Sequence, residues 1–186
     1  MSYEAVAVPM RGDLHTLKRM CSYGSKVMAV GTVVLAAVVA FILLLGAYAI
    51  AAGSAPDILL EIIGAGSDDS FGTMAFSFIE TLSVFVLGTL TVSAARRLMS
   101  SISTEHTPFT AGNTRLVSGL SKQYLVGAIV ISVSELASGG DPADGAFMLF
   151  GCLLVSVVLF MFALMIRYGS VLQNEWDHTL RGMEWL

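Results

Sequence analysis

The sequence carries little charge. Only 13% of its 186 residues are Asp, Glu, Lys or Arg, about half the ~25% of an average soluble domain. It has two cysteines, too few for a disulfide-stapled secreted scaffold or a four-cysteine zinc site. Ten basic residues stand against 14 acidic ones, which argues against a nucleic-acid-binding surface. No direct binding to nucleic acid is therefore expected.

Hydrophobic residues make up 55% of the chain and gather in four long apolar runs, over 27–52, 71–95, 116–137 and 145–166. A helix of the first run would measure roughly 39 Å, more than the ~30 Å hydrocarbon core of a bilayer. We therefore predict an all-α integral membrane protein with four transmembrane helices in an antiparallel bundle. A single domain over 1–186 would include an N-terminal arm (1–26) and an amphipathic C-terminal tail (167–186).

Two of these runs allow another interpretation. The third contains Lys122 and Glu135, and could be an amphipathic helix on the membrane surface. We favour a span, because charges near the ends of a span can reach the interface. The first could belong to a cleaved signal peptide, but it is longer than the about 7–15 apolar residues of such a segment.

The basic residues predict the orientation. All ten fall on one side of the four-span arrangement: Arg11, Lys18, Arg19, Lys26, Arg96, Arg97, Arg115, Lys122, Arg167 and Arg181. The connections on the other side carry only acidic charge: Asp57, Glu61, Asp68, Asp69, Asp141 and Asp144. By the positive-inside rule, both termini are predicted to lie in the cytoplasm, with the chain in the cytoplasmic membrane.

Local patterns predict how the helices begin and end. Thr110 and Asp141 are expected to be N-caps, and Asp57 is expected to cap a short helix in the first outer connection. Gly139-Gly140 is expected to end the third span. A polar stripe on that span, with Ser118, Ser121, Lys122, Ser132 and Glu135, is expected to face the other helices.

Two segments carry a family resemblance. The turn over 106–116 and the tail over 167–180 resemble, in order and distance, two motifs of the bacterial domain-of-unknown-function 2975 proteins. The resemblance implies a four-span bacterial membrane protein. Some members are encoded beside a small helix-turn-helix regulator, which implies a cytoplasmic partner. The candidate partner-contact residues are Pro108, Phe109, Thr110, Asn113, Tyr168, Leu172, Gln173, Trp176 and Asp177.

No P-loop, G-x-G-x-x-G or G-x-S-x-G motif is present in the sequence. The three histidines also lack metal-binding spacing, so neither a cofactor nor a metal is expected. We expect a non-enzymatic regulatory or accessory protein that works through a helix-turn-helix regulator or another membrane subunit. A homo-oligomer would be compatible with this function.

Glu80 supports an alternative. It is the one ionisable residue well inside a span, about 13 Å along a helix from Phe71. Thr73, Ser77 and Ser83 share its helix, and Glu135 is its expected neighbour on the third span. These residues suit a small proton- or cation-coupled transporter or channel. They also suit a neutral carboxyl group that holds two helices together.

Overall fold

The computed structural model describes the backbone of residues 4–105 and 109–183, with side chains over 19–104, 109–172 and at Glu175. This part of the chain consists of five helices without strands: α1 (Glu4–Ala52), α2 (Asp57–Ile63), α3 (Phe71–Glu105), α4 (Ala111–Ser138) and α5 (Pro142–Met183). Four of them contain segments long and apolar enough to cross a membrane: Arg19–Ala52, Phe71–Thr104, Ala111–Ser138 and Pro142–Leu172. The chain is therefore a multi-pass helical membrane protein.

The helices extend beyond the apolar runs that predict them. Helix α1 begins at Glu4 and continues without a break through residue 27, where the sequence had placed the boundary between arm and span. Helix α5 continues in the same way through the predicted tail to Met183. Hydrophobicity predicts the part of a helix that can lie in the membrane, whereas the helix itself can continue beyond that part.

The long helices pack in chain order. Helix α3 contacts α1 and α4, and α4 contacts α5. Among the described residues, α1 does not approach α4 or α5 within 8 Å between Cα atoms, nor does α3 approach α5. The arrangement is an open row of helices. A closed bundle would also bring the first and last spans together.

Glycines bring α1 and α3 close to each other. Gly24 lies against Met99, Gly31 against Val92, and Gly46 against the ring of Phe78. A side chain at Gly46 would start 2.6 Å from that ring, so the close approach depends on its absence. From the first of these contacts to the third, the residue numbers rise on α1 and fall on α3.

Three of the predicted helix ends are confirmed. The hydroxyl of Thr110 accepts a hydrogen bond from the Asn113 backbone N–H (3.2 Å) at the start of α4. Gly139 ends α4 with a φ of 86°, a conformation that favours glycine. Asp141 Oδ1 accepts a hydrogen bond from Ala143 N–H (2.8 Å) at the start of α5.

The predicted cap of the short helix is wrong. Pro56 occupies the position before α2 and makes no side-chain cap, while Asp57 is the first helical residue. There its carboxylate faces the positive end of the helix dipole. Helix α2 packs on α3 and α1, and it buries Leu59 and Ile63.

Candidate functional site

Two serines join α4 to α5 by reciprocal hydrogen bonds. Ser121 Oγ donates to the carbonyl of Ser156 (2.9 Å), and Ser156 Oγ donates to the carbonyl of Ser121 (2.8 Å). Further along, Ser132 Oγ donates to the carbonyl of Gly145 (3.1 Å). All three serine side chains are buried. In hydrocarbon, a hydroxyl group that bonds across two helices connects them directly.

The polar stripe predicted on α4 does not face a single neighbour. Ser121 and Ser132 face α5, as their bonds show. Lys122 is exposed instead and lines a groove toward α3. Successive residues of a helix are rotated by about 100°, so adjacent members of this stripe point in different directions.

Polar pairs also join α3 to α4. Thr91 Oγ1 and the Tyr124 hydroxyl lie 2.8 Å apart. Near the start of α4, the Asn113 side-chain amide donates to Ser101 Oγ (3.0 Å). Together these pairs set the register of the two helices.

The structure places Glu80 of α3 and Glu135 of α4 as neighbours, close enough for the two carboxyl groups to interact. Both side chains are half-buried. A carboxylate has no donor of its own, so a bond between the two requires a proton on one of them. This acidic pair is an arrangement that can hold one proton between two helices.

The turn between α4 and α5 encloses one side of the acidic pair. A Cβ atom on Gly140 would collide with the carboxyl group of Glu135, and one on Gly145 would lie 3.6 Å from its Cγ. Gly140 therefore leaves the space that the Glu135 carboxyl group occupies, whereas a Cβ atom on Gly145 would only touch that side chain. From the sequence, Gly140 was predicted only as part of the turn that ends the third span. Its contact with Glu135 depends on which side chain folds over it.

The other residues predicted around Glu80 serve their own helix. The hydroxyl of Thr73 pairs with Ser70 Oγ (3.0 Å) at the start of α3. Ser83 Oγ donates to the carbonyl of Ile79 (2.7 Å). Ser77 is half-buried, one helical turn from Glu80. The acidic pair thus consists of two carboxyl groups, with hydroxyl groups bonded locally nearby.

The predicted partner-contact residues fall into three groups. Phe109 packs its ring on Gly169 of α5, Thr110 caps α4, and Asn113 is buried and bonded to Ser101. Tyr168 and Leu172 are 71% and 53% exposed. Pro108 and the side chains of Gln173, Trp176 and Asp177 lie outside the described residues.

In the part of the chain that the structure describes, no three His, Cys, Asp or Glu side chains lie together as metal ligands would. Comparisons of the chain with known protein families, with curated proteins and with solved structures found no match.

Proposed function

We propose that the chain is a non-enzymatic regulatory or accessory protein of the bacterial cytoplasmic membrane that works through a cytoplasmic partner. Its four spans would run antiparallel, with both termini in the cytoplasm. Basic residues before the first apolar run, around the α3–α4 connection and on α5 support this orientation, because all of them would then face the cytoplasm.

One observation carries the proposal. The packing of Phe109 on Gly169 joins the α3–α4 connection to α5. Phe109 nevertheless keeps 42% of its surface exposed, beside exposed Tyr168 and Leu172. We call these three residues the inner surface. They lie next to Arg167, at the cytoplasmic end of α5 in the proposed orientation. Exposed aromatic side chains on a preformed surface are typical of protein contact sites.

Photocrosslinking in native membranes tests the partner. A photoreactive residue is placed at Phe109 or at Tyr168, and products are identified by mass spectrometry. We expect the same partner protein at both positions, either a helix-turn-helix regulator or another membrane subunit. Val157, an exposed residue of the same helix α5, is the matched control and should give lipid adducts only. Identical products at all three positions, or none at the first two, would contradict the proposal.

The acidic pair favours a second candidate, a small proton- or cation-coupled transporter. Proton flux driven by a pH gradient is measured with purified protein in liposomes. We expect flux in the wild type and its loss in Glu80→Gln and Glu135→Gln, because a glutamine amide does not exchange a proton in this way. Glu61→Gln, at an exposed position of α2, is the control and should keep the flux. Lack of flux in the wild type would refute this candidate and leave the pair as a helix-to-helix contact.

A further inference from the structure

An open groove of about 360 Å³ runs between α3 and α4. Its walls are mainly aliphatic: Val86 and Leu90 on α3, and Val126 and Val130 on α4. Gly127 lets Leu87 approach closely at its floor. The volume lies within the range of about 300–1,000 Å³ typical of ligand sites. An elongated apolar molecule is the ligand that these walls suit.

One end of the groove is basic. Lys122 lines it and is exposed. Arg97 follows Leu90 by seven residues, and Arg115 precedes Lys122 by seven. Each arginine therefore lies on the same helix face as the groove-lining residue, two helical turns away. The bond between Ser101 and Asn113 places both arginines at the same end of the helix pair. We call Arg97, Arg115 and Lys122 the basic end.

Among the side chains that the structure describes on α3 and α4, no carboxyl group lies at the basic end. The carboxyl groups described on these two helices belong to Glu80 and Glu135, beyond the opposite end of the groove. The groove therefore joins an aliphatic channel to an end with three basic residues, which calls for a ligand with a negative head and an apolar tail.

We propose that this groove binds an acidic phospholipid, with an acyl chain along Val86, Leu90, Val126 and Val130 and the phosphate at the basic end. Arginine side chains bind phosphate oxygens in pairs of hydrogen bonds, and a lysine stem can lie along apolar surface while its ammonium group reaches the headgroups. In the proposed orientation the basic end faces the cytoplasmic leaflet, whose anionic lipids attract such clusters. The site stands independently of the partner-contact and transport proposals.

Spin-labelled lipids test the site. The full-length protein is reconstituted in phosphatidylcholine bilayers with spin-labelled phosphatidylglycerol or phosphatidylcholine, and the immobilised fraction of each label gives the relative association constant. We expect a preference for phosphatidylglycerol that falls about fivefold in Lys122→Gln or Arg97→Gln, the effect of removing one cation near an anionic headgroup. Lys122→Arg should retain the preference and shows that position 122 tolerates substitution.

The control variant is Arg96→Gln. It removes the same charge from the next residue of α3, which lies about 100° away around the helix, and it should keep the preference. Equal losses in Arg96→Gln and Arg97→Gln would overturn the proposal, since the effect would then be diffuse surface charge. Equal immobilisation of both labels by the wild type would overturn it as well.

A second pair of variants tests the acyl chain. Val126→Trp fills the groove and should reduce the selectively immobilised phosphatidylglycerol to the level of phosphatidylcholine. Val157→Trp adds the same side chain to an exposed position of α5 and should leave it unchanged. If Val126→Trp keeps the selective fraction, the acyl chain does not lie in the groove.

Discussion

Hydroxyl side chains in the apolar helices are used in two ways. Thr32, Ser83 and Thr89 donate to carbonyl groups one turn earlier in their own helix. Ser121 and Ser156 instead bond across α4 and α5. The first use satisfies the donor locally and contributes little to helix association. The second use stabilises the association of the two helices, and only while they remain packed.

Replacing either serine of the reciprocal pair should weaken the α4–α5 contact. We expect Ser121→Ala and Ser156→Ala each to lower the free energy of unfolding in a bilayer by about 1 kcal/mol, near the middle of measured values for hydrogen bonds between membrane helices. The double variant should lose less than the sum, because the two hydroxyl groups also lie 3.3 Å from each other and either change removes that shared contact. Steric trapping or a detergent-unfolding series measures the losses.

Ser83→Ala serves as the control for this series, since Ser83 bonds only within its own helix turn. Its stability should stay within about 0.5 kcal/mol of the wild type. Strictly additive losses at Ser121 and Ser156 would show that the two serines do not act as a pair.

At the scale of the elements, glycines decide how closely the long helices approach. On α4, a Cβ atom at Gly127 would lie 2.5 Å from Leu87 Cδ1 and 3.2 Å from both Cγ and Cδ2. All three atoms belong to one buried side chain, so the overlap is relieved only if Leu87 leaves its packed position. Gly119 of the same helix has open space at that position.

Adding one methyl group at these two positions should therefore have opposite effects. Gly127→Ala should destabilise the protein by about 1–3 kcal/mol, because it overpacks the α3–α4 contact. Gly119→Ala should be neutral or stabilise the protein by up to about 1 kcal/mol, because alanine favours the helix. Unfolding in the same bilayer compares them. Equal stabilities of the two variants would show that Gly127 does not set the helix spacing.

At the scale of the whole molecule, the helices form a row in which each long helix packs on the one before it in the sequence. In such a row each connection joins neighbouring helices. The row also leaves broad apolar faces of α1 and α5 exposed, among them Val33, Leu44, Phe150 and Leu154. Lipid is the natural solvent for such faces, since an apolar face on both ends of a row has no cost in hydrocarbon.

The proposed orientation predicts which helix ends are accessible from each side of the membrane. Single cysteines are placed at Asp68, Asp141 or Thr104, all exposed, after Cys21 and Cys152 are replaced by alanine. We expect a membrane-impermeant thiol reagent to label positions 68 and 141 from outside intact cells. Position 104 should label only after permeabilisation. Labelling of position 104 in intact cells, or protection of 68 and 141, would contradict the topology.

The sequence predicted the membrane class because lipid contact requires long apolar helices, and such runs are visible without any tertiary information. It also predicted the caps at Thr110 and Asp141, because capping depends on residues adjacent in the chain. Helix α1 runs without a break from Glu4 through the predicted N-terminal arm into the first span. The N-cap assigned to Asp57 was wrong by one position, a common uncertainty at helix termini.

Composition and order of the chain alone determined that four helices would be apolar enough to span a membrane, and where the charged connections lie. Only the tertiary structure decided which faces meet. It placed Glu80 beside Glu135, paired Ser121 with Ser156, and left Lys122 on an open groove. The physical reason is that helix faces which are all apolar carry little periodic signal. Their rotation is set by close contacts between small side chains and by a few hydrogen bonds between residues distant in sequence.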